Sequence, residues 1–170
     1  MRKTAFILTL ALLVFSVSPA RADLSAKAAF LLLEKVPPGE YYPDARQFLG
    51  LPSAERVVDI EKDIKITRWG KSADSWTFEA LHDAEQVRAT RITWRTTTKS
   101  EQQRIFSQLT TAGKNFFGSV AIFKNMEEAQ WEDFEGRWIT RARIESGVSG
   151  GVTLLSGIRD VTMGSDRYGF

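Results

Sequence analysis

The chain has 170 residues, 23 of them basic, 21 acidic and 43% hydrophobic, with a single histidine and no cysteine. The missing cysteines exclude disulfides, thiol nucleophiles and Cys-type zinc sites, and with His82 as the only imidazole a transition-metal site is not expected. The near balance of charge gives no electrostatic footprint for nucleic acid.

Met1-Arg2-Lys3, the apolar run Ala5 to Val17 and the small-residue step Ala20-Arg21-Ala22 read as a secretory signal peptide over residues 1–22. The run is shorter than the roughly 20 residues that span hydrocarbon. Its removal would take away Arg2, Lys3 and Arg21 and no acid, leaving a chain of about −1 formal charge by count. The mature chain is thus expected to be periplasmic or secreted and not membrane-spanning. It is long enough to bury a core without staples.

Ser25 to Val36 is dense in Ala, Phe and Leu and stops at Pro37-Pro38-Gly39, which predicts a short apolar helix. Pro43 to Leu49 predicts a second, closed by Gly50 and Pro52. A period of two then sets in over Ile64–Arg68 and Trp76–Leu81. His82-Asp83-Ala84-Glu85 reads as a hairpin turn, with His82 an exposed turn residue, and a bulged return strand runs from Val87 to Thr97. Ser100 to Gln103 has the capping-box pattern, and Ile105, Phe106, Leu109, Ala112, Phe116 and Phe117 follow at helical spacing up to Gly118. Alternation returns over Trp138–Glu145 and Val152–Arg159, on either side of a glycine-rich turn.

The halves repeat in order: a helix ending in an aromatic-then-Gly step, then two tryptophans seven apart, Trp69/Trp76 and Trp131/Trp138. The expected fold is α+β with two related halves, each a short helix or helix pair packed on about three antiparallel strands. They take up residues 23–98 and 99–161, with a flexible tail over 162–170.

Gly39, Ala45 and the step Phe48-Leu49-Gly50-x-Pro52 form a segment that resembles the helix-turn of small outer-membrane-assembly lipoproteins of the BamE/SmpA type. β-Lactamase inhibitor proteins, built from two tandem units of this kind, are similar at the level of element order. The resemblance covers about 14 residues, the lipoprotein cysteine of the first family is absent here, and the second half lacks the motif. It implies an α+β unit that binds proteins and performs no chemistry.

The residues themselves offer little for catalysis. His82 has no G-x-S-x-G partner, and Gly147, Gly150 and Gly151 precede no Lys-Ser/Thr step that would make a phosphate loop. Asp59, Glu61 and Asp63 lack calcium-loop spacing. Glu127, Glu128, Glu132, Asp133 and Glu135 around Trp131 and Phe134 leave open a glycan hydrolase working through a carboxylate pair.

Two arginine groups stand out. Arg88, Arg91 and Arg95 lie on the strand after His82, and Arg137, Arg141 and Arg143 lie on the matching strand of the second half. They suggest either a basic stripe or a charged outer face answering Glu79, Glu135 and Glu145. The function expected from these features is a non-enzymatic module without cofactor or metal that binds another protein or an envelope component through Arg91, Trp94, Arg95, Arg141 and Arg143. Trp and Arg together are the usual composition of a binding hot spot. The alternatives are the glycan hydrolase and a protein holding a small ligand.

Overall fold

The computed structural model describes residues 24–70, 74–132, 138–145 and 150–158. Residues 1–22, expected to be a signal peptide, residues 162–170, expected to be a tail, Phe134, Arg137 and residues 147–149, expected to form a turn, lie outside them.

Helix α1 (Ala26–Lys35) starts where the Ser25 hydroxyl accepts from the Ala28 amide at 3.2 Å, and it buries Ala29, Phe30, Leu32 and Leu33. Helix α2 (Tyr42–Leu49) carries Pro43 in its first turn and ends at Gly50. Helix α3 (Lys99–Phe117) is capped by Thr98, two residues before the expected start at Ser100. The Thr98 hydroxyl accepts from the Glu101 amide at 3.1 Å, and the Glu101 carboxylate accepts from the Thr97 amide at 3.0 Å. The acidic Glu101 fills the reach-back position better than Gln103 because its charge also opposes the positive end of the helix dipole. Gly118, left-handed at φ 65°, closes the helix.

Among the described residues, eight antiparallel strands form one sheet: β1 (Ala54–Asp59), β2 (Ile64–Trp69), β3 (Trp76–His82), β4 (Val87–Arg95), β5 (Phe123–Lys124), β6 (Glu128–Glu132), β7 (Trp138–Glu145) and β8 (Gly151–Ile158), in the order β1-β2-β3-β4-β8-β7-β6-β5. Each helical section is therefore followed by a four-stranded meander, not the three strands expected. Three strands lie outside the expected ranges: the edges β1, mostly exposed, and β5, two residues long, neither of which shows the apolar alternation that marks a half-buried strand, and β6, whose residues the sequence presents as part of an acidic cluster. The bulge falls where His82 pairs with Val87 and Leu81 with Ala89, which moves Val87 and Ala89 to opposite faces.

All three helices pack on one face. Phe30, Leu33, Tyr42, Leu49, Phe106 and Leu109 meet Trp69, Phe78, Ile92, Trp94, Trp131 and Leu154 in the main core, and Ile66, Leu81, Ala89 and Leu155 form a second, smaller buried cluster on the opposite face of the sheet. Trp94 is 4% exposed and donates its indole N–H to the Leu24 carbonyl at 3.0 Å. His82, expected in an exposed turn, is 2% exposed: it ends β3 on the helix side, and its ring stacks on Tyr42 of α2 at a centroid distance of 3.4 Å.

Candidate functional site: the uncovered sheet face

Successive side chains of a strand point to opposite faces, so pairing register fixes which residues share the face away from the helices. Three rows cross it. The first is apolar: Ile66, Leu81, Ala89, Gly157 and Ile139 are successive cross-strand neighbours. The second crosses all eight strands as Ala54, Arg68, Glu79, Arg91, Leu155, Arg141, Gln130 and Phe123. The third holds Thr77, Thr93, Thr153, Arg143 and Glu128, with Arg95, Gly151 and Glu145 one step further along the strands. No helix among the described residues packs on these rows.

Glu79 organises the second row. It is 3% exposed and takes a guanidinium on each carboxylate oxygen: Arg68 Nε donates to Oε1 at 2.8 Å and Arg91 Nε to Oε2 at 2.9 Å, with an Nη2 contact from each as well. Burial pushes the Glu79 carboxyl up, but the charge and hydrogen bonds of Arg91 and then Arg68 outweigh it and hold the group below the usual range. One carboxylate between two arginines leaves an excess positive charge at this point of the face. Elsewhere on the face, Arg141 Nε lies 3.1 Å from Glu128 of the third row, and Glu145 accepts from the Thr153 hydroxyl at 2.9 Å.

Four of the five residues expected to contact a partner, Arg91, Arg95, Arg141 and Arg143, are thus brought onto one face, with Arg95 and Arg143 exposed. Trp94 is not among them: it alternates with Arg95, and its indole is in the helix-side core. Arg88 sits in the bulge and donates to Asp83 at 2.9 Å. Arg68, Leu155 and Gln130 join the face without having been singled out. The signal for Arg68 was its place in the β2 alternation, and that of Leu155 becomes visible only once β8 is known to pair with β4.

The acidic cluster separates in the same way. Trp131 is 1% exposed against α1 and α3, whereas Glu128 and Glu132 point to the other face, so the tryptophan does not line a cleft with those carboxylates. Asp133 and Glu135 lie outside the described residues. Asp59 accepts from the Lys62 amide at 3.1 Å in the β1–β2 turn, and no group of three or more metal-ligating side chains occurs among the described residues.

His82 belongs to a separate buried polar cluster. Its Nδ1–H donates to the Asp83 carbonyl at 2.7 Å, and its Nε2 lies 2.8 Å from the Thr67 hydroxyl, which also meets Tyr42 OH and the Glu55 carboxylate at 3.0 Å each. With the ring neutral, the one hydroxyl hydrogen of Thr67 is shared between two acceptors, Nε2 and Glu55. Burial lowers the His82 pKa, aided by Lys65 and opposed by the Asp83 carbonyl and by the charges of Glu55 and Asp83.

No protein-family model matches this chain, and no curated protein or solved structure matches it either.

Proposed function

We propose that this is an exported, non-enzymatic binding module that receives an acidic segment of another protein or envelope component on the uncovered sheet face. The carrying observation is the row Arg68–Glu79–Arg91–Leu155–Arg141, which sets guanidinium groups on both sides of an apolar residue where no described helix covers them. Salt links to the buried Glu79 carboxylate fix the orientation of the partly exposed Arg68 and Arg91, so little side-chain entropy remains to be lost when a partner arrives. Arg95 and Arg143 extend the positive charge toward solvent, which suits recognition of carboxylates by forked hydrogen bonds.

The same reading takes the two meanders as degenerate copies. Trp69 and Trp131 are 62 residues apart, as are Trp76 and Trp138, and so are Ile92 and Leu154, which stand directly opposite each other at the centre of the β4–β8 pairing. A local two-fold relation between the halves would produce that coincidence. It would make the face a continuous surface shared by both copies, as the resemblance to tandem inhibitor-type units implies.

The test is affinity capture of tagged residues 23–170 from gently cross-linked envelope extract, in parallel with the double variant Arg95→Glu/Arg143→Glu. Both substituted residues are exposed, so the fold should be unaffected. The expected result is one stoichiometric partner that is lost from the variant and weakened by added salt. Equal recovery by both proteins would refute the use of this face.

A further inference from the structure

A cavity of about 220 Å³ lies between the C-terminal ends of α1 and α3 and strands β7 and β8, on the opposite face of the sheet from the arginine rows. It could hold about seven waters at their liquid volume, the size of a small organic molecule. Its lining is unusual for a gap in a core. Phe30, Phe116 and Phe117 pack on one another at centroid distances of 5.3, 6.1 and 5.1 Å and contribute to the wall together with Trp138. Trp138 is set over Gly39, where an added Cβ would come within 3.4 Å of its ring, and Gly39 turns the chain there at φ 91°.

Polar groups interrupt this aromatic lining at two places. Thr140 and Ser156, each 6% exposed, line the cavity with their hydroxyls 3.0 Å apart. Two hydroxyls bring two hydrogens and their mutual bond uses one, so a donor and several lone pairs remain for a guest. Glu34, exposed on the last turn of α1, is the one charged residue among the described residues that line the cavity. Aromatic faces attract cations through the negative face of the ring, and a carboxylate beside them favours a cation and repels an anion.

We infer that this cavity binds a small organic ammonium ion bearing a hydroxyl group, a choline-like amino alcohol. The rings and Glu34 would hold the ammonium end, and the Thr140–Ser156 pair the hydroxyl. The inference is independent of the sheet-face reading, since it uses the helix side of the sheet and none of its arginines.

Titration calorimetry with choline, with its neutral carbon isostere 3,3-dimethylbutan-1-ol and with the carboxylate 3,3-dimethylbutyrate tests it, with the part of the Trp fluorescence response that is lost in Trp138→Phe as a second readout. Choline is expected to bind saturably, about tenfold tighter than the neutral isostere, and the carboxylate not at all. Glu34→Gln should abolish most of that preference while leaving the isostere unchanged; the residue is exposed, so loss of fold is not a confounding outcome. Equal affinity for choline and the isostere, or no saturable choline binding at tens of millimolar, would overturn the inference.

Discussion

Trp131 fills the notch that Gly113 leaves in the middle of α3. A Cβ built at Gly113 would stand 2.4 to 2.8 Å from three atoms of the indole, closer than atoms can approach without something shifting. The indole cannot retreat easily, because Phe117 stacks on it at a centroid distance of 5.9 Å and Phe30 meets its edge at 6.0 Å. Helix propensity alone makes Gly→Ala in a helix stabilising by about 1 kcal/mol. Here the overlap should reverse the sign, and Gly113→Ala is expected to cost about 1–3 kcal/mol in urea unfolding. Trp131→Phe in the same background should recover part of the loss, a coupling that a double-mutant cycle reads directly.

Glu79→Gln should destabilise the protein by about 1–3 kcal/mol at pH 7, because it leaves Arg68 and Arg91 without their shared carboxylate. The full cost of breaking a buried pair is not expected, since the two arginine side chains are 39% and 21% exposed and keep part of their hydration. The Glu79 pKa is lowered below 4.5 in the folded state, so its contribution is present above that value and lost as pH falls through the folded-state pKa. Urea midpoints taken from pH 7 down to pH 3 should therefore fall more steeply for the parent protein than for the variant.

His82 gives a second pH window with its own sign. Its pKa is lowered below 6.5 by burial, so the unfolded chain binds the proton first on acidification. Stability from this group is complete above about 6.5 and declines as pH drops toward the folded-state value. Replacing it with Gln should flatten the urea-midpoint profile between pH 7.5 and 5.5. An unchanged profile would mean that His82 takes up its proton equally in the folded and unfolded chains, so that burial does not lower its pKa.

The helix N-terminus separates two readings of one stretch of sequence. Thr98→Ala should cost about 1 kcal/mol, because Thr98 carries the capping bond to Glu101, whereas Ser100→Ala should be nearly neutral. Thermal unfolding of the two variants decides between Thr98 and Ser100 as the cap.

Most of the architecture was legible where a local rule governs it. Pro37-Pro38, Gly50 and Gly118 mark the helix ends, and strict alternation exposes β2, β3, β7 and β8. Edge strands β1 and β5 escaped because an exposed edge needs no apolar face. His82 escaped because its burial comes from Tyr42, forty residues earlier, and nothing in Asp83-Ala84-Glu85 signals that contact. Trp94 is a different case: its parity against Arg91 and Arg95 already placed it on the opposite face, and grouping it with them by composition overlooked that constraint. An arginine answering Glu79 across the strands is among the readings the sequence offers, but the continuation of that row through Leu155 to Arg141 is not, since it depends on β8 closing against β4, where Arg91 stands opposite Leu155, 64 residues on.

Site-specific photo-crosslinking in the cell that makes the protein tests the proposed binding role of the sheet face away from the helices most directly. A photoreactive residue would replace Arg95, Gln130 or Arg143 on that face, or Gln103 or Lys114 on the outer side of α3, one at a time. Cross-links to a common partner from the three sheet positions and none from the helix positions is the predicted result. Cross-links from α3 alone would contradict it and move the binding surface to the helical side of the protein.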